Sequence, residues 1–356
     1  MSKPRVSVLV DTYNHEQFIE QALVGVLAQD VSAADVEVIV VDDGSTDNTP
    51  AIVAKFAPRV RYLGKANGGQ ATAFNFGIAA TRGEIVAFLD ADDWWEKAKL
   101  RRVLETFEKN PNLGVVGHAI WEVHSGNGTV KVICPEKERV LELSTREEAL
   151  LFRQWKCLLG TSRLAIRKEV LMHVLPIPAG LVVEADEFMF TLAAAISGAI
   201  ILEQPLTYYR LHANNLFQFS SRDETKIRRK RDVLYCLGRE LPARLSTVGV
   251  PPATLEAIME PIWVEGGRLS LILGEGKPLD TFRIERAAYR LRREHEPATL
   301  ADRAFNALVL GGALLMPPRM FYRSKDWYAA RDLGRLRRLW KQRAPASPPL
   351  KGQSEA

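Results

Sequence analysis

Between Val6 and Leu89 the chain alternates between short apolar runs and stretches with helical spacing. Val6 to Val10, Val36 to Val41, Val60 to Leu63 and Ile85 to Leu89 are short, nearly uniform apolar runs, the mark of buried strands. Between them Phe18, Ile19, Ala22, Leu23, Val26 and Leu27 recur at helical spacing. A polar capping run leads into Ala51 to Phe56, and Ala73, Phe74, Gly77 and Ile78 mark a further helix that Gly83 ends. This repetition predicts an α/β fold, a mostly parallel sheet with helices on both faces. Ligands of such sheets bind beyond the carboxyl ends of the strands. The three most polar segments, Asp11 to Asn14, Asp42 to Thr49 and Asp90 to Asp93, all fall at such ends. Each alone has a turn or capping explanation, but folding does not require acids to gather on one edge. They are expected to line one crevice.

Asp90-Ala91-Asp92-Asp93 places three carboxylates in four positions. Crowded carboxylates repel unless a cation or strong donors offset the repulsion, and hard divalent cations with oxygen ligands do this well. Capping of a helix opening at Trp94 by Asp92 or Asp93 would explain one acid of the three. A second acidic group, Glu184-Ala185-Asp186-Glu187, opens an apolar helix from Phe188 to Ile196.

Further along, Lys97 to Phe107 is expected to be helical and Leu113 to Trp121 a strand. Gly126-Asn127-Gly128 marks a hairpin turn before Val130 to Ile133. Thr145 to Phe152 and Lys168 to Val174 look helical, Leu164 to Ile166 is a short strand, and another short strand follows Gly198 before Pro205 to His212. From Arg222 the alternation stops and charged helical sequence takes over. The charge divides there too: 22 basic and 27 acidic residues up to Ser221, against 25 and 15 from Arg222 to Arg343. Ala304 to Met316 carries no charge, and Pro317-Pro318 stops it. Arg319, Arg323, Lys325, Arg331, Arg335, Arg337, Arg338, Lys341 and Arg343 follow, mixed with aromatic residues. Residues 304–343 suit a peripheral membrane contact, or else a core helix followed by a solvated basic one. The three scattered cysteines fit reduced thiols in the cytoplasm, and neither a signal peptide nor a spanning helix is expected. The basic tail lacks a recognisable docking module, so no nucleic-acid partner is expected.

Five motifs in order complete the reading: Val6-Ser7-Val8-Leu9-Val10-Asp11-Thr12-Tyr13-Asn14, Val40-Val41-Asp42-Asp43-Gly44-Ser45-Thr46-Asp47, Asn67-Gly68-Gly69 with Asn75 and Gly77, Gly83-Glu84-Ile85-Val86, and Leu89-Asp90-Ala91-Asp92-Asp93. On these the chain, over about residues 4–215, resembles the family 2 glycosyltransferases, inverting enzymes of the GT-A (Rossmann-like) fold that use nucleotide-diphosphate sugars. The resemblance implies that Thr12, Tyr13 and Glu16 lie around the base and ribose and that Asp43 contacts the base. Asn67 and Gly69 belong to the same donor region. It places Asp90 and Asp92 near ribose and diphosphate, Asp92 or Asp93 on Mg2+ or Mn2+, and His212 near the metal or the pyrophosphate. Asp11 stands where many relatives have proline, and no role attaches to it.

Family members often carry an adjacent acidic pair before a helix as the catalytic base. Here Ala185 separates Glu184 from Asp186, so the register is open: Asp186 is favoured over Glu184 and Glu187, with helix capping as its bland alternative. The implied organisation is a GT-A catalytic domain over residues 1–220, with nucleotide-sugar binding up to about 125 and the acceptor and base part over 126–220. A basic helical C-terminal region over 221–343 and a disordered tail over 344–356 follow. The implied activity is transfer from a UDP-sugar to an acceptor hydroxyl, glycan or lipid-linked, as in envelope polysaccharide or glycolipid synthesis at the inner face of the plasma membrane. A non-catalytic nucleotide-binding scaffold on the same fold would lack the acidic cluster or every candidate base, and both are present. A sugar-phosphate nucleotidyltransferase would carry a glycine-rich loop with arginine where Asp11 to Asn14 stand.

Overall fold

The computed structural model describes residues 3–124, 128, 130–212, 223–294 and 298–330. Its first part follows the expected alternation: β1 (Val6–Thr12), α1 (Ile19–Leu27), β2 (Val36–Asp42), α2 (Thr49–Ala54), β3 (Arg61–Gly64), α3 (Gln70–Ala80) and β4 (Ile85–Asp90). Side chains alternate across each strand. Val6, Val8 and Val10, with Val38, Val40, Ala87 and Leu89, join Ile19, Leu23 and Val26 of α1 in one core. On the other face Phe74 of α3 meets Phe88 edge-on, with ring centroids 5.4 Å apart. Gly77 permits that approach, since a Cβ there would lie 2.8 Å from Val41 Cγ2. Each buried Leu, Ile, Val or Phe side chain stabilises the fold by about 1.5–3 kcal/mol. The period-two apolar pattern, rather than any single contact, therefore holds the sheet between its helices.

The chain continues as β5 (Trp94–Trp95), α4 (Lys99–Lys109), β6 (Val115–His124), β7 (Val130–Ile133), β8 (Arg139–Leu141), α5 (Arg146–Trp155), β9 (Ala165–Arg167), α6 (Lys168–Val174), α7 (Ala185–Ser197) and β10 (Ala199–Leu211). The described strands join one sheet in the order β3-β2-β1-β4-β9-β6-β10-β5, with β7 on β6 and β8 on β10. β1 to β4 are parallel, β6 and β10 are parallel, and β9 runs antiparallel between β4 and β6. The expected α/β fold is present, with antiparallel strands added to its second half.

Two local readings are settled by the structure. The alternative of a helix opening at Trp94 does not hold. Trp94 and Trp95 pair with Tyr208 and Thr207 of β10, because the Trp94 ring stacks on Tyr208 and Trp95 Nε1 donates to the Ser162 carbonyl at 3.0 Å. The short strand after Gly198 and the segment ending at His212 are one strand, β10, which passes Pro205 with register shifts on either side. Such bulges re-aim side chains, and here Arg210 comes to Asp93. Of the expected hairpin turn, Gly126 and Asn127 lie outside the described residues, although β6 and β7 pair antiparallel from Val123 and Val130 onward.

The rest is helical: α8 (Glu224–Thr247), α9 (Pro252–Ile272), α10 (Pro278–Arg293), α11 (Leu300–Leu315) and α12 (Pro318–Ala330). The described residues divide into two compact units, within Met1–Phe219 and Arg229–Trp263 for the first and Ser220–Arg228 and Val264–Ala356 for the second. In the first, Arg244 of α8 donates to the His173 carbonyl at 2.7 Å. The second has a small core of Leu271, Ala313, Phe321 and Tyr322. There buried Glu285 accepts from Tyr322 at 3.0 Å and Lys325 at 2.8 Å. Among the described residues no helix is long and apolar enough to cross a membrane. Residues 331–356, which include much of the basic segment and the tail expected to be disordered, lie outside the described residues.

Candidate active site

The register of β1 against β4 sets Asp11 beside Asp90 at the carboxyl edge of the sheet. Just beyond, ligand oxygens of Asp90, Asp92 and Asp93 all lie within 4.8 Å of one another. Packing acids this densely shifts their proton affinities. Burial, with the charge of Asp92, pushes Asp93 up to about 8. Burial also pushes Asp11 up to about 7, and Asp90 rises well above the ordinary carboxylate range through burial and the neighbouring acids. Asp92 goes the other way. Burial acts to raise it, but the hydrogen bond from His212 and the nearby His15 hold it below its ordinary value. His212 Nε2 lies 3.0 Å from Asp92 Oδ2.

A divalent cation fits this donor set. Asp93 Oδ2 and Asp11 Oδ1 are buried and meet no hydrogen-bond donor among the described residues. Hard carboxylate oxygens with one imidazole nitrogen suit Mg2+ or Mn2+. Asp93 caps no helix, because its Oδ1 accepts from the backbone N–H of Arg210 at 2.8 Å. Arg210 Nε also donates to the Asp92 carbonyl at 2.8 Å.

The residues expected on the donor side gather at the neighbouring strand ends. Thr12 Oγ1 lies 3.3 Å from His15 Nδ1, and Tyr13 projects with 46% of its surface exposed. The Glu16 carboxylate accepts from Asn48 N at 3.0 Å and Asn48 Nδ2 at 2.9 Å, which ties the end of β1 to the start of α2. Asp43 is engaged by its own loop: it accepts from Gly68 N at 3.0 Å, from Gly69 N at 2.7 Å and from Lys65. Asn67 Nδ2 donates to the Asp43 carbonyl at 3.0 Å. Gly69 has φ +84°, and a Cβ there would lie 2.6 Å from Val182 Cα. Asp43, Asn67 and Gly69 are therefore brought together as one closed loop.

The three candidate bases separate by their partners. Glu184 is buried, holds a left-handed φ of 58° at the start of α7, and is ion-paired with Lys230 of α8. Glu187 is ion-paired with Lys156. Asp186 has no ammonium partner among the described residues. Its Oδ2 accepts from Thr161 N at 3.1 Å and Thr161 Oγ1 at 3.2 Å, and its Oδ1 from Glu187 N at 2.9 Å. Burial raises its pKa, against the opposing pull of the Thr161 bonds and of Arg163. Next in sequence, the Ser162 hydroxyl accepts from Asp90 N at 3.1 Å and faces Asp90 Oδ2 at 3.3 Å. The single-turn helix Thr161–Arg163 thus links Asp186 to the acidic cluster.

Residues 7–175 match the profile of glycosyl transferase family 2. They are a family 2 glycosyltransferase domain. The chain is 37% identical over 219 residues to the uncharacterized glycosyltransferase alr2836 of Nostoc sp., covering 59% of this chain and 66% of that protein. It is also 37% identical over 150 residues to the uncharacterized glycosyltransferase EpsJ of Bacillus subtilis, covering 41% and 43%. The chain thus matches less than two thirds of the length of either relative. Among solved structures, S. aureus TarS superposes with a TM-score of 0.54 at 18% identity, covering 90% of this chain and 92% of that one. The mannosyltransferase PcManGT of Pyrobaculum calidifontis, in complex with GDP-Man and Mn2+, gives 0.51 at 22%, covering 94% and 88%. At these identities the likeness establishes the GT-A fold.

Around this site, sequence reasoning passed over Thr161, Ser162, Arg163 and Lys156, Arg210 of β10 and Lys230 of α8. Arg210 carried a usable signal, since strand periodicity puts it on the same face as His212. The Thr-Ser-Arg turn carried none, being ordinary turn sequence.

Proposed function

We propose that the chain is an inverting glycosyltransferase that moves a sugar from a nucleoside diphosphate donor to an acceptor hydroxyl. One observation carries the reading. A carboxyl cluster in which Asp90 and Asp93 have raised proton affinity and a separate, partly buried carboxylate, Asp186, meet through the single turn Thr161–Arg163. Asp92, Asp93 and His212, with Asp90 beside them, would hold Mg2+ or Mn2+, which would supply positive charge opposite the departing diphosphate. Asp186 takes the proton of the acceptor hydroxyl, and the burial that raises its pKa makes it a stronger base than a solvated aspartate. The two bonds from Thr161 hold its carboxylate in place. As the hydroxyl oxygen bonds to the anomeric carbon from the face opposite the diphosphate, the sugar–phosphate bond breaks and the configuration inverts. Thr12, Tyr13 and Glu16 serve the base and ribose, with the exposed Tyr13 ring available for stacking. The Asp43, Asn67 and Gly69 loop shapes the wall beside them.

UDP is the donor nucleotide we favour, and a glycan or lipid-linked hydroxyl the acceptor, in envelope polysaccharide or glycolipid synthesis. Fold neighbours in complexes with UDP, with UDP-GlcNAc, and with GDP-Man and Mn2+ support a nucleotide-sugar donor and a divalent cation. A peripheral membrane contact through residues 304–343 belongs to the same reading. It is supported by the exposed Leu308, Leu315, Met320 and Trp327 of α11 and α12, flanked by the exposed Arg303 and Arg323. Thermal shift against UDP, GDP, CDP and dTDP, with and without Mn2+, tests the donor site. Metal-dependent stabilisation by one of them is expected, and stabilisation by none refutes the transferase.

A further inference from the structure

The turn Thr161–Arg163 aims three consecutive side chains at three parts of the site. Thr161 bonds Asp186 and Ser162 bonds Asp90, while Arg163 lies against Tyr209, its guanidinium carbon 5.0 Å from the ring centroid. Arg163 Nε donates to the Cys157 carbonyl at 2.9 Å, so both the plane and the stem of the side chain are fixed. Gly160 makes room for it, because a Cβ there would lie 2.5 Å from Arg163 Nη2. The other cations of the site are committed: Lys99 to the Ser162 carbonyl, Lys156 to Glu187, Lys230 to Glu184, and Arg210 to the Asp92 carbonyl and Gln21. The two terminal nitrogens of Arg163 make no hydrogen bond or ion pair with any described residue. Its charge is near enough to draw down the proton affinities of both Asp93 and Asp186, yet it pairs with neither.

A half-buried guanidinium held by stacking and by Nε presents its remaining donors as a preformed fork. That fork matches two oxygens of a phosphate, and little ordering is needed on binding. We propose that Arg163 is an oxyanion-binding residue that takes a phosphate group between Asp186 and the acidic cluster. Two sources share this chemistry. A nucleoside diphosphate would reach Arg163 from the cluster side, and a phosphate next to the reactive hydroxyl of the acceptor would reach it from the Asp186 side. The donor source rests on the transferase reading, whereas phosphate binding by Arg163 does not.

The test compares wild type, Arg163→Gln and Arg163→Lys by isothermal titration of the full chain, after melting curves show that each variant folds. In one arm UDP and GDP are titrated with Mn2+. In the other, inorganic phosphate is titrated alone and then with the protein saturated with UDP and Mn2+. Arg163→Gln is expected to weaken binding about tenfold in one arm, the loss of one charge-assisted bidentate contact. Arg163→Lys should fall between, because an ammonium keeps the charge without the fork. Loss in the nucleotide arm assigns the donor, and loss confined to the phosphate arm assigns an anionic acceptor. A wild type that binds phosphate but neither nucleotide defeats the transferase reading and leaves the phosphate arm to decide on Arg163. Unchanged affinities in both arms, or no binding of any probe by the wild type, overturn the proposal.

Discussion

Replacing Asp186 by asparagine removes the proposed base while nearly preserving its shape. The carboxylate accepts three hydrogen bonds, from Thr161 N at 3.1 Å, Thr161 Oγ1 at 3.2 Å and Glu187 N at 2.9 Å. An amide has one acceptor oxygen. With that oxygen kept toward Thr161, the amide NH2 faces the Glu187 N–H, and one bond worth about 0.5–1.5 kcal/mol is lost. Stability should change by about that much, whereas turnover should fall by about 10²–10⁴-fold, the usual contribution of a positioned general base. Nucleotide affinity should hold, because the residues proposed for the base and ribose are elsewhere. The wild-type pH profile carries a second signature. The ionised form is the active one, and burial places the pKa of Asp186 above its ordinary value of 3.8, so kcat/KM should fall with decreasing pH through a point above that value. Asp186→Asn should lack this limb. Glu184→Gln is the contrast. It breaks a buried pair with Lys230, which costs about 3–5 kcal/mol in a fully buried setting and less here, where Lys230 is 20% exposed. It should lower the melting temperature and leave the turnover of folded protein intact. Release of nucleoside diphosphate, measured beside melting curves, separates the two. Near-normal turnover in Asp186→Asn, with an inactive but folded Glu184→Gln, would refute the assignment.

Three further outcomes are expected. Asp11 and Asp93 are pushed up to about 7 and about 8, above their unfolded values. The metal-free protein should therefore lose stability as pH rises from about 4 to about 8. Saturating MnCl2 should cancel the fall, and a melting temperature independent of pH without metal would contradict the shifts. Gly69→Ala forces a Cβ into a φ of +84° and to 2.6 Å from Val182 Cα. It should cost about 1–3 kcal/mol and weaken nucleotide binding by opening the Asp43 loop, so an unchanged melting temperature would be inconsistent. Leu308→Ser with Leu315→Ser changes side chains that are 76% and 85% exposed, so stability should hold within about 0.5 kcal/mol. Its co-sedimentation with phosphatidylglycerol vesicles should drop, and the binding of wild type should weaken with added salt. No vesicle binding by wild type at low salt removes the membrane contact.

What was legible before folding was what repeats or clusters within a short window. The apolar runs of β1, β2 and β4 announced strands, and their alternation with helices announced the layers, because burial on both faces demands that composition. The acidic residues at the strand ends announced the crevice. Trp94 and Trp95 gave no sign of β5 because a two-residue strand has no period to read. Its pairing is decided by Tyr208 and Ser162, more than sixty residues away. The small polar residues Thr161 and Ser162 gave no warning for a similar reason, since their partners Asp186 and Asp90 lie far along the chain.

The sequence by itself determined the sheet, its covered faces and the gathering of Asp11, Asp43 and Asp90 to Asp93 at one edge. Strand polarity and the period of two leave those residues no other place. It favoured Asp186 over Glu184 and Glu187 only through the family resemblance, and left the register of these three acids at the start of one helix open. Only the tertiary structure told them apart, by bringing Lys230 to Glu184, Lys156 to Glu187 and Thr161 to Asp186. The proton affinity of a carboxyl group depends on its burial and on the charges around it. For these three acids those neighbours come from distant parts of the chain, so their roles are set by the fold.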